Sequence, residues 1–217
     1  MRLVLLGAPG SGKGTLAQRL RDEKGVPQVS SGDLLRDAVK RGTDLGRRAK
    51  AAMDSGELVS DEIVLGLIRE RLGRPDAAAG FILDGYPRNV AQAAALDALL
   101  AELGQPIDTV MLMEVDPAVL FKRLTGRRSC PSCGKVFNIY TAPSKKGDRC
   151  DNCEVSPLLV QRDDDREDVI ERRLRVYERD TRPLIDHYRA RGLLKVVDAG
   201  RPAEQVYSEF LGAVGAA

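Results

Sequence analysis

The sequence predicts an α/β protein: a doubly wound parallel sheet of five strands with helices on both faces, carrying two small inserts. Three observations lead there. Short apolar runs alternate with helical periods along most of the chain, as in strands joined by crossover helices. The first run, Leu3 to Leu6, enters Gly7-Ala8-Pro9-Gly10-Ser11-Gly12-Lys13-Gly14-Thr15, and a helical segment from Leu16 to Lys24 follows. Strand, glycine turn and helix form the setting of a phosphate-binding loop, or P-loop. The alternation breaks twice, in a polar helical stretch from Ser30 to Val59 and in a cysteine-bearing stretch from Gly126 to Asp163.

In the loop, glycines let several backbone N–H groups converge on one oxyanion, and the helix N-terminus adds about half a positive charge there. Lys13 supplies a full charge that reaches outer phosphates. The spacing Gly7-x-x-x-x-Gly12-Lys13 fits the Walker A pattern except that Gly14 follows the lysine, with the hydroxyl delayed to Thr15.

Val26 to Val29 reads as a second strand, and Ser30-Ser31-Gly32-Asp33 starts a helix with Leu34, Leu35, Ala38 and Val39 at helical spacing. Gly42-Thr43 breaks it, and a polar helix from Leu45 to Met53 follows. Ser60 is expected to cap the next helix, with Asp61 and Glu62 complementing its dipole and Ile63, Val64, Leu67 and Ile68 as its buried stripe. Gly80 to Leu83 reads as a buried strand. An Ala-rich helix comes next, with Leu96, Leu99, Leu100 and Leu103 on one face. Thr109 to Met113 is the fourth strand, and Asp116-Pro117 starts a helix to Leu124. After the second insert a long helix is expected from Asp165, then a strand from Leu193 to Val197 and a last helix through Phe210.

The second insert holds all four cysteines, as Cys130-Pro-Ser-Cys133 and Cys150-Asp-Asn-Cys153. In a reducing compartment two such pairs read as one tetrahedral thiolate site for a structural zinc, one per chain. Two disulfides or four idle thiols are the other readings. A β-rich unit this small buries too little to stand alone, and zinc supplies on the order of 10 kcal/mol to such folds. The expected division is a core of 1–29, 60–125 and 164–217, a helical segment 30–59, and a zinc module 126–163.

Hydrophobic residues make up 43% of the 217 and charged residues 30%, ordinary values for a soluble globular chain. A net charge of +2 with 4% aromatic residues argues against a nucleic-acid partner. No apolar run nears the ~20 residues of a membrane span. The first strand begins at once, leaving no room for a leader peptide, so a cytoplasmic location is expected, and a monomer is expected because no obvious apolar patch stands out.

Ligands of an open parallel sheet gather at the carboxyl ends of its strands. Besides the P-loop, Asp84-Gly85-Tyr86-Pro87-Arg88 and Asp198 to Arg201 fall there. Asp84 either orders a hydrated Mg²⁺ or caps local N–H groups. Ile170, Leu174 and Tyr177 define the inward stripe of the long helix, and Arg173 lies within it while Arg172 turns ~100° away. A core-facing guanidinium needs an anion, either a buried carboxylate or a ligand phosphate. Asp163-Asp164-Asp165 suggests metal, but helix capping accounts for one of them equally well. The one histidine, His187, is read as a helix-surface residue. Lys, many Arg, a carboxylate and no general base suit phosphoryl transfer onto a phosphate, which is already anionic and needs only charge stabilisation and exclusion of water.

The P-loop with its Gly14, Ser31-Gly32-Asp33, Leu83-Asp84-Gly85-Tyr86-Pro87-Arg88, Gly126-Arg127-Arg128 and Arg162-Asp163-Asp164 together resemble the adenylate kinases, in their bacterial long-lid form, over essentially the whole chain. The resemblance implies Mg·ATP + AMP ⇌ 2 ADP. It implies that Gly10, Ser11, Gly12, Lys13, Gly14, Thr15, Arg123, Arg127 and Arg201 bind ATP, with Arg123 against the adenine. AMP falls to Ser31, Arg36, Glu57, Leu58, Val59, Gly85, Arg88, Gln92, Arg162 and Arg173. Lys13, Arg88, Arg127, Arg162 and Arg173 become the catalytic cations, and Asp84 orders the water shell of Mg²⁺. Residues 30–59 become the AMP-binding segment and 126–163 the lid, whose closure is a standing example for this family. Two rival readings are a kinase acting on UMP or CMP, and an ATP-regulated zinc-ribbon nucleic-acid-binding protein. The long lid and Gln92 argue against the first, and charge and composition against the second.

Overall fold

A computed structural model describes residues 1–215. Its central sheet is parallel and has five strands: β1 (Arg2–Leu6), β2 (Gln28–Ser30), β3 (Phe81–Asp84), β4 (Thr109–Glu114) and β7 (Leu194–Asp198), in the order β2-β3-β1-β4-β7. Alternation in the central strands divides the core in two. Val4, Leu6, Phe81, Leu83, Val110 and Leu112 face one cluster. Leu3, Leu5, Ile82, Met111 and Met113 face the other. Helices α4 (Asp61–Leu72), α5 (Val90–Glu102) and α8 (Leu184–Ala190) cover the first face, and α1 (Lys13–Lys24) and α9 (Ala203–Val214) the second. On the edge strand β7, Val196 is left 45% exposed.

Helices α2 (Ser31–Lys40) and α3 (Asp44–Ser55) form the first insert. Ser30 and Thr43 cap them by accepting from the backbone N–H of Asp33 and Gly46. They cross so closely that a Cβ on Gly46 would lie 2.1 Å from the Ala38 carbonyl oxygen, so only glycine fits. Helix α6 (Pro117–Thr125), capped by Asp116, leads into the second insert. There the antiparallel hairpin β5 (Arg127–Ser129) and β6 (Val136–Asn138) packs Phe137 against Cys130 and Cys150. No helix among the described residues is long and apolar enough to cross a membrane.

Four local expectations are corrected. The helix expected from Asp165 is two: α7 (Glu167–Val176) and α8, joined by a π turn over Tyr177–Thr181, with Asp163–Asp165 in a separate 3₁₀ turn. Ser60 stands at the N-cap of α4 but its side chain makes no cap bond. Leu103 lies just past the end of α5 and is 37% exposed, because the helical face it would extend has already ended. The second strand is shifted to Gln28–Ser30, since Pro27 has no N–H for a ladder.

Candidate active site

The loop after β1 positions the first cation. Gly12 sits at φ 101 as the N-cap of α1, supplies no side-chain cap, and no acidic residue occupies the first turn. The opening N–H groups of α1 therefore remain free for an anion. Lys13 folds back over the loop and donates to the carbonyls of Gly7 and Ala8 at 2.7 and 2.9 Å. Burial, reinforced by Arg88, Arg173 and Arg127 against the pull of Asp84, pushes its pKa down to about 8.

Strands β1 and β3 are neighbours with Leu5 opposite Asp84, so the carboxylate that ends β3 lies beside the P-loop. A Cβ on Gly14 would sit 3.4 Å from Asp84 Oδ2, which places the start of α1 directly beside this carboxylate. Oδ2 also accepts from Gln28 Nε2 at 3.1 Å. A carboxylate at this place beside the P-loop suits hydrated Mg²⁺.

Beyond Asp84, Gly85 turns at φ 76 and its carbonyl accepts from Ser31 Oγ at 2.6 Å and Arg88 Nε at 2.8 Å. Thr181 Oγ1 donates to the Arg88 carbonyl at 2.7 Å. Burial and the neighbouring Arg173 and Arg36 push Arg88 down to about 10. Arg36 pairs with Asp33 at 2.6 Å. Burial and the nearby Arg36 and Arg127 push Arg162 down to about 10.

Asp165, read from sequence as a possible cap, is fully buried and joins two arginines. It accepts from Arg127 Nε at 2.7 Å and from Arg173 Nη1 at 3.0 Å. Arg173 thus has a carboxylate partner in Asp165, and Asp164 Oδ2 is a second at 3.1 Å. Burial works against the charge of Arg127, but the bonds to Asp165 outweigh it and hold its pKa above the ordinary value. Burial also opposes ionisation of Asp164, yet Arg173 and Arg127 keep its carboxyl below the usual range. Arg172 points elsewhere and donates to the Ser55 carbonyl.

Asp165 and Arg172 apart, these side chains line one cleft of about 1050 Å³ that runs from the P-loop to the first insert. It gathers every nucleotide-site residue expected from the sequence, from Gly10 to Thr15 through Arg36, Glu57, Leu58, Val59, Gln92, Arg123 and Arg201. Arg123 donates to the Ala199 carbonyl at 3.0 Å, and Arg201 pairs with Asp198 at 3.1 Å on the rim. His187 lies outside the cleft, edge-on to Tyr188. Thr181 is an addition the sequence did not single out, while Asp61 and Asp165 were singled out only for helix-end or metal roles.

The four cysteine Sγ atoms lie within 4.8 Å of one another, with Cys130–Cys153 and Cys133–Cys150 each at 3.8 Å. A tetrahedral thiolate site with ~2.3 Å bonds has sulfur–sulfur edges of ~3.8 Å, whereas a disulfide needs ~2.05 Å. Backbone N–H groups of Cys133 and Asn152 point at the sulfurs of Cys130 and Cys150 at 3.5 and 3.4 Å, as expected for metal-bound thiolates. The cluster fits zinc, with Cys130, Cys133, Cys150 and Cys153 as its ligands.

Fold and cleft together define a P-loop nucleotide phosphotransferase. The adenylate kinase family model matches residues 5–193. An adenylate kinase of Nitrosococcus oceani is 60% identical over 198 residues, covering 91% of each chain. Those of Thermodesulfovibrio yellowstonii and Archaeoglobus fulgidus are 53% and 50% identical over 210 residues, with at least 96% of each chain covered. The chain belongs to the adenylate kinase family.

Proposed function

We propose that the cleft seats two nucleotides end to end, with fixed cations between them carrying the phosphoryl group. The chain is an ATP:AMP phosphotransferase, and its reaction is Mg·ATP + AMP ⇌ 2 ADP. The family assignment disfavours the UMP/CMP kinase and zinc-ribbon readings. The observation that carries the two-nucleotide reading is the cleft itself. It extends from the P-loop to Arg36, Leu58 and Val59 of the first insert, and cations line it from the P-loop, β5 and α7.

In this reading the P-loop N–H groups and Lys13 hold the ATP phosphates, with Arg123 and Arg201 on the adenosine side. Arg36 and Arg88 grip the AMP phosphate. Ser31, Val59, Gly85 and Gln92 surround its base, and Glu57 and Leu58 close that edge. Arg127, Arg162 and Arg173 face the group in flight, where spreading negative charge is met by groups already in place. No general base is required because the acceptor oxygen is anionic. Mg²⁺, when bound with ATP, neutralises the donor phosphates. Asp84 holds its water shell, and Gly14 leaves room for that shell. The 30–59 segment and the 126–163 lid close over the cleft and exclude water from the transfer. Zinc is structural, one per chain. The reading is of a monomer that works in the cytoplasm, where both nucleotides are supplied.

A coupled assay with ATP, AMP and Mg²⁺ tests the activity, and production of ADP dependent on all three is expected. No ADP with any nucleotide pairing contradicts it.

A further inference from the structure

The surroundings of one carboxamide in the cleft determine more than its placement. A glutamine side chain has two ends of opposite polarity, an accepting oxygen and a donating NH₂. Gln92 Oε1 lies 2.7 Å from the backbone N–H of Arg88, and its Nε2 lies 2.7 Å from Asp61 Oδ1. A backbone N–H only donates and a carboxylate only accepts. Both partners therefore demand the same amide flip. Turning the amide over sets donor against donor and oxygen against oxygen, on a residue only 2% exposed. Gln92 itself is shut off from water, so its side of each clash goes unrelieved, although Asp61 reaches solvent.

Asp61 is tied down in turn. Asn89 Oδ1 caps α5 by accepting from the Gln92 backbone N–H at 2.7 Å. That leaves Asn89 Nδ2 facing the two Asp61 oxygens at 3.3 and 3.4 Å. The first residue of α4 thus anchors two amides at the start of α5.

Each end of the Gln92 amide keeps one free valence: a second lone pair on Oε1 and a second hydrogen on Nε2. Adenine presents an amino donor at N6 and an acceptor at N1. Hypoxanthine and guanine present an acceptor at O6 and a donor at N1, the reverse arrangement. One flip of a glutamine complements the first edge, and the other flip complements the second.

We propose that Asp61 is a specificity-determining positioning residue, which together with the Arg88 backbone N–H holds Gln92 in one amide flip and so matches the acceptor pocket to adenine against 6-oxopurines. This rests on the reading in which Gln92 touches the AMP base, and it adds which residue decides how that base is read.

The test measures kcat/KM for AMP, IMP and GMP at saturating Mg·ATP, with KM for ATP and the thermal midpoint as controls. It compares the parent with Asp61→Asn, Asp61→Glu and Gln92→Leu. In Asp61→Asn the new amide can face either end of Gln92, so only the Arg88 backbone N–H still favours the parent flip, and the preference for AMP over IMP falls about tenfold while KM for ATP holds. Asp61→Glu keeps an acceptor-only partner and retains most of the preference. A merely structural role instead predicts loss in both variants together with a lower thermal midpoint. A preference unchanged within about twofold in Asp61→Asn overturns the proposal. Gln92→Leu separates the two layers. If it leaves the preference and KM for AMP untouched, Gln92 does not read the base and the underlying reading fails. If it collapses the preference while Asp61→Asn does not, that reading stands and the Asp61 proposal falls.

Discussion

At the scale of single residues, the cleft is a set of cations held close together before any phosphate arrives. Lys13 records this most directly. Burial, opposed by Asp84 and reinforced by three arginines, leaves its pKa at about 8. A bound phosphate favours the ammonium form and raises that value again. Affinity for ATP is therefore level below about pH 8 and weakens as pH rises through it, with a proton taken up on binding in that window. Calorimetry in buffers of different ionisation heat checks both signs. Affinity that stays flat to about pH 9.5 contradicts the assignment. Asp165 supports the same cations from below. Asp165→Asn removes the charge that aligns Arg127 and Arg173, so kcat falls by about 10- to 100-fold. Unfolding free energy drops by about 3 kcal/mol, because two guanidiniums lose a buried partner. Urea denaturation beside steady-state kinetics reads both, and unchanged kcat at normal stability argues against the alignment. Arg173 was legible in sequence because the helical period places it on the inward stripe. Asp165 was not, because a carboxylate opening a helix looks the same as a cap until the chain folds Arg127 onto it.

At the scale of elements, the two inserts carry little apolar surface and depend on other means of order. In the second insert, Phe137 and two cysteines are the buried cluster, so on the proposed reading a metal takes the place of a core. Metal analysis of protein purified without chelator should give about one zinc per chain. Stripping it lowers the thermal midpoint sharply while kcat at moderate temperature changes less, because the sulfurs lie outside the cleft lining. The reverse ranking moves the metal into the reaction. Spacing alone made these ligands legible, since both pairs are Cys-x-x-Cys. The break between α7 and α8 was harder to see. The sequence from Asp165 to Tyr188 keeps a helical period, and the π turn is a widening in which Arg182 N–H reaches the Tyr177 carbonyl. The widened turn carries Thr181 to the Arg88 carbonyl. Periodicity averages over such a local change.

At the scale of the whole molecule, the strand–helix alternation was enough for the doubly wound sheet, and the P-loop marked the end where ligands gather. The strand order was beyond it, because which strands pair depends on long-range registers such as Leu5 with Asp84. Net charge also misleads at this scale. The chain carries only +2 overall, yet Lys13 and its arginines converge on one cleft. The central claim is that this cleft holds two nucleotides at once, joined through their phosphates. Titration with a two-headed ligand, two adenosines linked by five phosphates, tests it most directly. The account predicts one molecule bound per chain, displacing both ATP and AMP. Two molecules per chain, or displacement of only one of the nucleotides, contradicts it.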